Sequence, residues 1–314
     1  MEETTQTVLV TGGLGFIGSH LVDRLVDEGH RVVVVDIAAP KGRSANKAVT
    51  YVKADIWYDE KKIRKMFEKY RPDVVFHLAA HKDLRGSLKG PIRHPQVNFI
   101  GTLNLLESMR DNGGGRFIFS STAAIYSPEA KLPIKEAGPI RPEAPYGISK
   151  RTAELYLWHF SEMHQMACMS LRFSNVYGPR SRGTINSVVN VFVDRLMKGE
   201  TPYITGSGEQ TRDFLYVDDV VDAFMRSMKV AWCGEMNIST GEEVSLNKVY
   251  GLIQEELGTD IEPDYVDAAS GELFQNSLDA SLAYDVMGWK ARTSIEEGIK
   301  KVIDWEREHG EHSK

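Results

Sequence analysis

Cysteine is nearly missing: Cys168 and Cys233 are the only two in 314 residues. That scarcity excludes a disulfide framework and a cysteine-built metal cluster, and it fits reduced thiols in a cytoplasm. No apolar run reaches the roughly 18–20 residues that cross a bilayer. The opening Met1-Glu2-Glu3-Thr4-Thr5-Gln6 is polar and acidic, unlike a secretory leader. Basic blocks are missing as well, and a net charge of −6 argues against nucleic acid as a partner. There is no low-complexity tract, long linker or internal repeat. No metal is expected: His77, His81 and His94 read as structural or stacking groups around a loop, and Met163, Met166 and Met169 as packing residues. The rest, 42% hydrophobic and 26% charged, suits a globular protein with a sizeable core.

What is present begins with Thr7-Val8-Leu9-Val10-Thr11, a β-branched run ending in Gly12-Gly13-Leu14-Gly15-Phe16-Ile17-Gly18. Ile17, Leu21 and Leu25 follow at helical spacing, with Val22 and Val26 beside them. Strand, glycine turn and helix in that order form the context of a dinucleotide fingerprint. The glycines let backbone N–H groups and a helix N-terminus approach a pyrophosphate. A second strand, Arg31–Val35, ends in Asp36 at the distance where a carboxylate meets an adenosine ribose. Either feature alone reads equally well as an ordinary α/β turn; the two together predict cofactor binding.

Strand and helix then alternate. Tyr51–Ile56 reads as a short strand, Glu60–Tyr70 as a charged helix, and Val74–Leu78 as a buried strand. Gln96–Arg110 reads as a helix stopped by Gly113-Gly114-Gly115, and Phe117–Ser121 as the next strand. A long helix spans Pro142–Gln165, and Cys168–Phe173 is a strand again. This rhythm predicts right-handed βαβ units and a doubly wound parallel sheet. Beyond Gly178-Pro179 the pattern loosens, with helices near 187–198, 217–229, 245–257 and 294–308 and strands near 203–205, 236–238 and 263–266. The fold class is therefore α/β: a Rossmann-type sheet over residues 1–178 and a smaller mixed α/β substrate lobe over 179–314, with later segments free to return to the main sheet.

Tyr146-Gly147-Ile148-Ser149-Lys150 places a phenol and an ammonium on one helix face. A nearby cation favours the phenolate, so Lys150 is expected to lower Tyr146 from its usual value of about 10. The product is a base able to take a hydroxyl proton as hydride leaves the same carbon. As an isolated pattern it is a common surface pair; here it follows a nucleotide fold and a strand ending in Ser120-Ser121-Thr122.

Together, Thr11–Gly18, Ser120–Tyr126, Tyr146–Lys150, Leu171–Pro179, Gln210–Val220, Asn237–Gly241 and Gly288-Trp289 resemble the extended short-chain dehydrogenase/reductase family. Within it they resemble the NAD-dependent nucleotide-sugar epimerases and dehydratases, from Val8 to about Trp305. The resemblance implies that Gly12, Gly15, Phe16 and Ile17 hold the pyrophosphate, Asp36 the ribose, and Asp55 with Ile56 the adenine. It implies that Leu78, Ala79, Ala80, His81 and Lys82 line the NAD, with Asn98 behind it and Ser120 and Phe173 at its border. Tyr146 becomes the acid/base, Lys150 its tuner and a ribose ligand, and Thr122 a partner of the reacting sugar oxygen. Lys82, Asn175 and Arg212 become substrate residues, Arg212 at the diphosphate, where an arginine fork suits the oxygens. A homodimer is implied through helices at about 96–110 and 143–164, with Leu105, Leu106, Leu155 and Trp158 available for it.

The dehydrating, decarboxylating and GDP-mannose branches keep acidic side chains just after the active-site Thr, where this sequence has Ala123-Ala124. Oxidation and re-reduction needs only the Tyr, the Thr and NAD, so the expected activity is 4-epimerisation of a UDP-hexose such as UDP-glucose or UDP-galactose through a 4-keto sugar. The alternatives are a dehydratase, a reductase exchanging NAD(P) with solvent, or a nucleotide-sensing scaffold. Two departures stand out: Ser127 replaces a usual Gly after the Tyr, and Ala269, before Gly271-Glu272, replaces an Arg that grips the diphosphate. Three explanations stand: Arg180 or Arg182 reaches in as a substitute, which is favoured because Arg212 and its motif are intact, the enzyme tolerates weak binding, or its substrate is not a standard diphosphate sugar.

Overall fold

Unbroken runs of valine need burial on both faces, and the sheet supplies it. The computed structural model describes residues 5–41, 46–82, 90–181, 187–267 and 274–310. The first half consists of β1 (Thr7–Thr11), α1 (Phe16–Asp27), β2 (Arg31–Asp36), β3 (Thr50–Lys53), α2 (Glu60–Tyr70), β4 (Val74–His77), α3 (Gly101–Asp111), β5 (Arg116–Thr122), α4 (Pro145–His164) and β6 (Ala167–Phe173). After it come β7 (Asn175–Tyr177), α5 (Val188–Met197), β8 (Tyr203–Thr205), β9 (Thr211–Arg212), β10 (Phe214–Tyr216) and α6 (Val217–Ser227). The chain continues through β11 (Gly234–Ile238), β12 (Val244–Ser245), α7 (Leu246–Leu257), β13 (Asp264–Val266), α8 (Ser281–Met287) and α9 (Ile295–His309).

Seven strands form the main sheet in the order β11-β6-β5-β4-β1-β2-β3, and every neighbouring pair is parallel. Along β2 the valines divide by parity. Val32 and Val34 join Leu21 and Leu25 of α1 and Phe224 of α6, whereas Val33 and Val35 join Ile63 and Phe67 of α2 and Leu105 and Leu106 of α3. Each such buried side chain contributes about 1.5–3 kcal/mol. A separate apolar cluster, with Tyr177, Phe192, Phe214, Val249 and Ile299, holds the smaller lobe together. Strand β11, drawn from beyond residue 178, pairs with β6 in the main sheet.

Several boundaries differ from the expectation. The helix expected from Gln96 begins with a short turn at Arg93–Pro95 and a π-helical stretch at Gln96–Ile100. The wide turn there carries Asn98, which bonds the loop after β4. Helix α4 starts at Pro145, where a missing N–H costs nothing. Helix α8 and strands β7, β9, β10 and β12 escaped the sequence reading because each is too short to show a period. Trp289 lies in the core against the main sheet, and its Nε1 donates to the Asp219 carbonyl at 3.0 Å. Met166 and Met169 are buried as expected, but Met163 is 67% exposed on α4 and packs no core.

Candidate active site

Strand order reverses between β1 and β4, which opens a crevice at their C-terminal edge. Gly12 turns there with φ +70°, and a Cβ on it would lie 2.8 Å from the Ala79 nitrogen. Only glycine permits that approach. Gly15 caps α1 without a side-chain bond, and Phe16 and Ile17 open the helix half-buried. At the end of β2, Asp36 Oδ2 accepts from Leu14 N at 3.1 Å and Oδ1 from Ala38 N at 3.0 Å, so its carboxylate is set against the glycine turn. Asp55 Oδ1 accepts from Trp57 N at 2.9 Å, and Ile56 is buried, its carbonyl held by Asn104. A bare backbone turn, a helix N-terminus and a carboxylate on the neighbouring strand fit a dinucleotide.

The floor of the crevice is polar, and most of its groups are hydrogen-bonded to one another. His77 is buried, with Nδ1 2.7 Å from Thr11 Oγ1 and Nε2 2.9 Å from Thr102 Oγ1. Thr102 gives its proton to the Asn98 carbonyl, so Nε2 of His77 donates and the ring is neutral. Burial, and then the Lys150 charge, hold His77 well below its ordinary value. His77 and His81 have the four-residue spacing of a helical metal pair, but His77 ends a strand and both its ring nitrogens are engaged. His81 Nδ1 instead meets His94 Nε2 at 3.1 Å. After β4, Leu78, Ala79 and Ala80 are half-buried, and Ala79 N donates to Thr11 Oγ1 at 3.1 Å. Desolvation holds the Lys82 ammonium below its ordinary value although the side chain keeps solvent exposure. Asn98 bonds His81 N at 2.7 Å and Ser149 Oγ at 3.0 Å, linking this loop to α4.

Tyr146, Lys150 and Thr122 come together. Gly147 makes this possible: a side chain there would run into the Ala124 carbonyl, so α4 seats directly on the turn after β5. Thr122 is near enough to the Tyr146 phenol to favour its ionised form, and Lys150 Nζ donates to the Ser120 carbonyl at 2.7 Å. Thr122 Oγ1 also accepts from Ala124 N at 3.2 Å. The expected electrostatics are corrected here. Burial pushes Tyr146 up to about 12, against the influence of Thr122. Burial pushes Lys150 down to about 7, against the attraction of Glu154. Desolvation outweighs the cation's help because Lys150 is spent on a backbone carbonyl within an apolar surround that includes the Phe119 ring.

A cavity of about 420 Å³ begins at Ala123, beside Thr122, and runs past Tyr126, Ser127, Leu132 and Phe274. Ser127 is buried and donates its N–H to the Pro139 carbonyl at 2.8 Å. Phe173 is buried against Phe224, Asn175 is exposed, and Arg212 is half-buried with Nη1 on the Thr211 carbonyl at 2.7 Å. Arg180 does not supply the missing arginine: it pairs with Asp23 of α1 at 2.6 Å. Arg43, Arg182, Ala269, Gly271 and Glu272 lie outside the described residues.

Two arrangements near the site left no local trace in the sequence. Arg172 grips Glu154 with two bonds of 2.9 and 3.0 Å, and Ser121 Oγ donates to the same carboxylate at 2.6 Å. Burial opposes the Arg172 charge, but Glu154 more than offsets it and raises the guanidinium above its ordinary value. Arg172 Nη1 also donates to Tyr126 Oη at 2.9 Å, and Tyr126 donates to Asn237 Oδ1 at 2.7 Å. The second is the buried carboxylate of Asp213.

The sheet order, the glycine cradle and the Thr-Tyr-Lys cluster define a nucleotide-dependent enzyme of the Rossmann class. The chain belongs to the NAD dependent epimerase/dehydratase family, whose sequence profile matches residues 8–238. It is 35% identical over 310 residues to the UDP-glucose 4-epimerase of Mycolicibacterium smegmatis, covering 95% of this chain and 98% of that one. Among solved structures, UDP-glucose 4-epimerase of Thermotoga maritima with UDP-glucose superposes with a TM-score of 0.93 at 38% identity, covering 96% and 99% of the two chains. The UDP-glucose 4-epimerase of Thermus thermophilus in complex with NAD gives 0.87 at 32% identity, covering 96% and 99%.

Proposed function

We propose that the protein is an NAD-dependent nucleotide-sugar 4-epimerase acting on a UDP-hexose such as UDP-glucose or UDP-galactose. The observation that carries this reading is the close seating of α4 at Gly147 on the turn after Thr122, which brings Tyr146 to that strand end with Lys150 fastened to the Ser120 carbonyl, and the two alanines that stand where an elimination or decarboxylation would need acids. NAD, when bound, supplies the acceptor and later the donor of hydride at the sugar C4. Gly12, Gly15, Phe16 and Ile17 hold its pyrophosphate, Asp36 its ribose, and Asp55 and Ile56 its adenine. Leu78, Ala79, Ala80, Lys82, Ser120 and Phe173 border it, and Asn98 fixes the loop from behind.

Thr122 orients the 4-oxygen, and Tyr146 takes its proton and returns it. In the buried pair, phenol with neutral amine and phenolate with ammonium carry the same net charge. Lys150, one helical turn away, can therefore hold the proton that Tyr146 must lack to act as base. Lys82, Asn175 and Arg212 face the nucleotide sugar, with Arg212 on the diphosphate. In this division residues 1–178 hold the cofactor and also bring Lys82, Thr122, Tyr146 and Asn175 to the sugar, while residues 179–314 add Arg212 and lend β11 back to the main sheet.

The enzyme works in the cytoplasm as a homodimer. Leu155 and Trp158, 49% and 62% exposed on α4, support a face for a second copy, whereas Leu105 and Leu106 are fully buried in the protomer's own core and take no part. Mass spectrometry of nucleotide released from denatured protein, followed by an NMR screen of nucleotide sugars, tests the reading. Released NAD and interconversion of UDP-hexoses support it; turnover confined to dehydration or net reduction contradicts it.

A further inference from the structure

Asp213 follows Arg212 directly and has no exposed surface. Its Oδ1 accepts from Ser174 Oγ at 3.0 Å, Thr240 N at 3.0 Å and Thr240 Oγ1 at 2.8 Å. Its Oδ2 accepts from Gly241 N at 3.0 Å and, more loosely, from Leu278 N at 3.4 Å. Its own carbonyl accepts from Asn175 N at 2.9 Å. One side chain thus ties four stretches of chain: the link leaving β6, the residues between β9 and β10, the turn leaving β11, and the approach to α8. The five donors are three backbone N–H groups and two hydroxyls. A buried carboxylate with that set resists rotation, because any turn leaves donors unpaired.

The residues on either side of this hub are those assigned to the substrate. Arg212 adjoins it in sequence and lies across from Val244 in the β9–β12 pair, and Asn175 lies across from Phe214 in the β7–β10 pair. Neither tie reaches Tyr146, Thr122 or Lys150. We propose that Asp213 is the positioning residue for diphosphate recognition, its carboxylate fixing the backbone from which Arg212 and Asn175 reach the nucleotide sugar. The proposal rests on the reading that Arg212 grips the diphosphate, so its test separates the two.

Asp213→Asn keeps the shape but turns one acceptor into a donor that faces donors. UDP binding by calorimetry and KM for the UDP-hexose should both weaken by about tenfold, with kcat within about twofold and NAD content unchanged. Thr240→Val and Ser174→Ala, which each delete one donor and leave the carboxylate, should weaken UDP by a smaller factor in the same pattern. They decide the matter if Asp213→Asn does not fold. Adding Asp213→Asn to Arg212→Ala should cost less UDP affinity than it does in the parent, because part of its effect runs through Arg212 and only the share through Asn175 is left. UDP affinity equal to the parent in Asp213→Asn, or in both donor deletions, overturns the proposal. So does full additivity with Arg212→Ala, or a loss in kcat that follows a fall in folded fraction at unchanged KM. If Arg212→Ala itself binds UDP as well as the parent, it is the diphosphate reading that fails.

Discussion

Lys150 Nζ donates to the Ser120 carbonyl at 2.7 Å, so the cation one turn along α4 from Tyr146 is fastened to the strand that ends in Thr122. The proposed acid/base group, orienting hydroxyl and tuning cation therefore hang from two regular elements, α4 and β5, rather than from a loop. Tyr146→Phe removes the proton carrier and keeps the ring. Turnover should fall by about 10²–10⁴, while NAD content and thermal midpoint stay near the parent values. Thr122→Val should lose less, since one positioning bond contributes about 1–3 kcal/mol. Steady-state kinetics on both variants check the order.

The same pair gives stability a pH signature. Lys150 ionises at about 7 when folded against 10.5 ordinarily. Between those values the unfolded chain binds the additional proton, so this group makes stability rise with pH across that window. Tyr146 works in the opposite sense: held up to about 12 against 10.0, it makes stability fall as pH passes above 10. Urea midpoints of the parent and of Lys150→Met, followed from about pH 7 to about pH 9, separate the two groups. The parent should gain stability relative to the variant as pH rises, because only the parent sheds the buried charge. Parallel curves would show that Lys150 does not carry the effect.

Arg172 and Glu154 are joined by two hydrogen bonds, and their side chains are 2% and 0% exposed. Arg172→Met strands the carboxylate and should cost about 3–5 kcal/mol, at the lower end because Arg151 Nη1 still reaches Glu154 at 3.0 Å. The double variant Arg172→Met/Glu154→Leu should recover much of that loss. Chemical denaturation of the three proteins, with m-values compared, measures it.

Much of the main sheet and the Tyr146–Lys150–Thr122 set was legible because its signals are local. A valine run, a glycine turn and a four-residue spacing each declare themselves within a short window. The Arg172–Glu154 pair spans strand and helix, and the donors to Asp213 come from residues 174, 240, 241 and 278, so no periodicity announces either. The value of Gly147 shows only once Ala124 is seen against it. The tuning of Tyr146 was misjudged for a related reason: sequence shows that a cation is near, but not that burial outweighs it.

In the proposed reading Asp36 sets cofactor choice. Its carboxylate is already held by Leu14 N and Ala38 N, and a 2′-phosphate would meet a negative charge. NAD should bind more tightly than NADP, and Asp36→Ala should narrow the gap. Calorimetry with both dinucleotides on cofactor-stripped protein measures the ratio; tighter binding of NADP by the parent would reverse the assignment.

In the proposed mechanism hydride leaves C4 and returns to the same carbon, with Tyr146 carrying the proton. Incubation with UDP-galactose deuterated at C4, followed by NMR of the products, tests this most directly. The account predicts UDP-glucose that retains its deuterium at C4, with no net NADH. Deuterium lost to solvent, NADH accumulating in proportion to substrate, or a dehydrated product would contradict it.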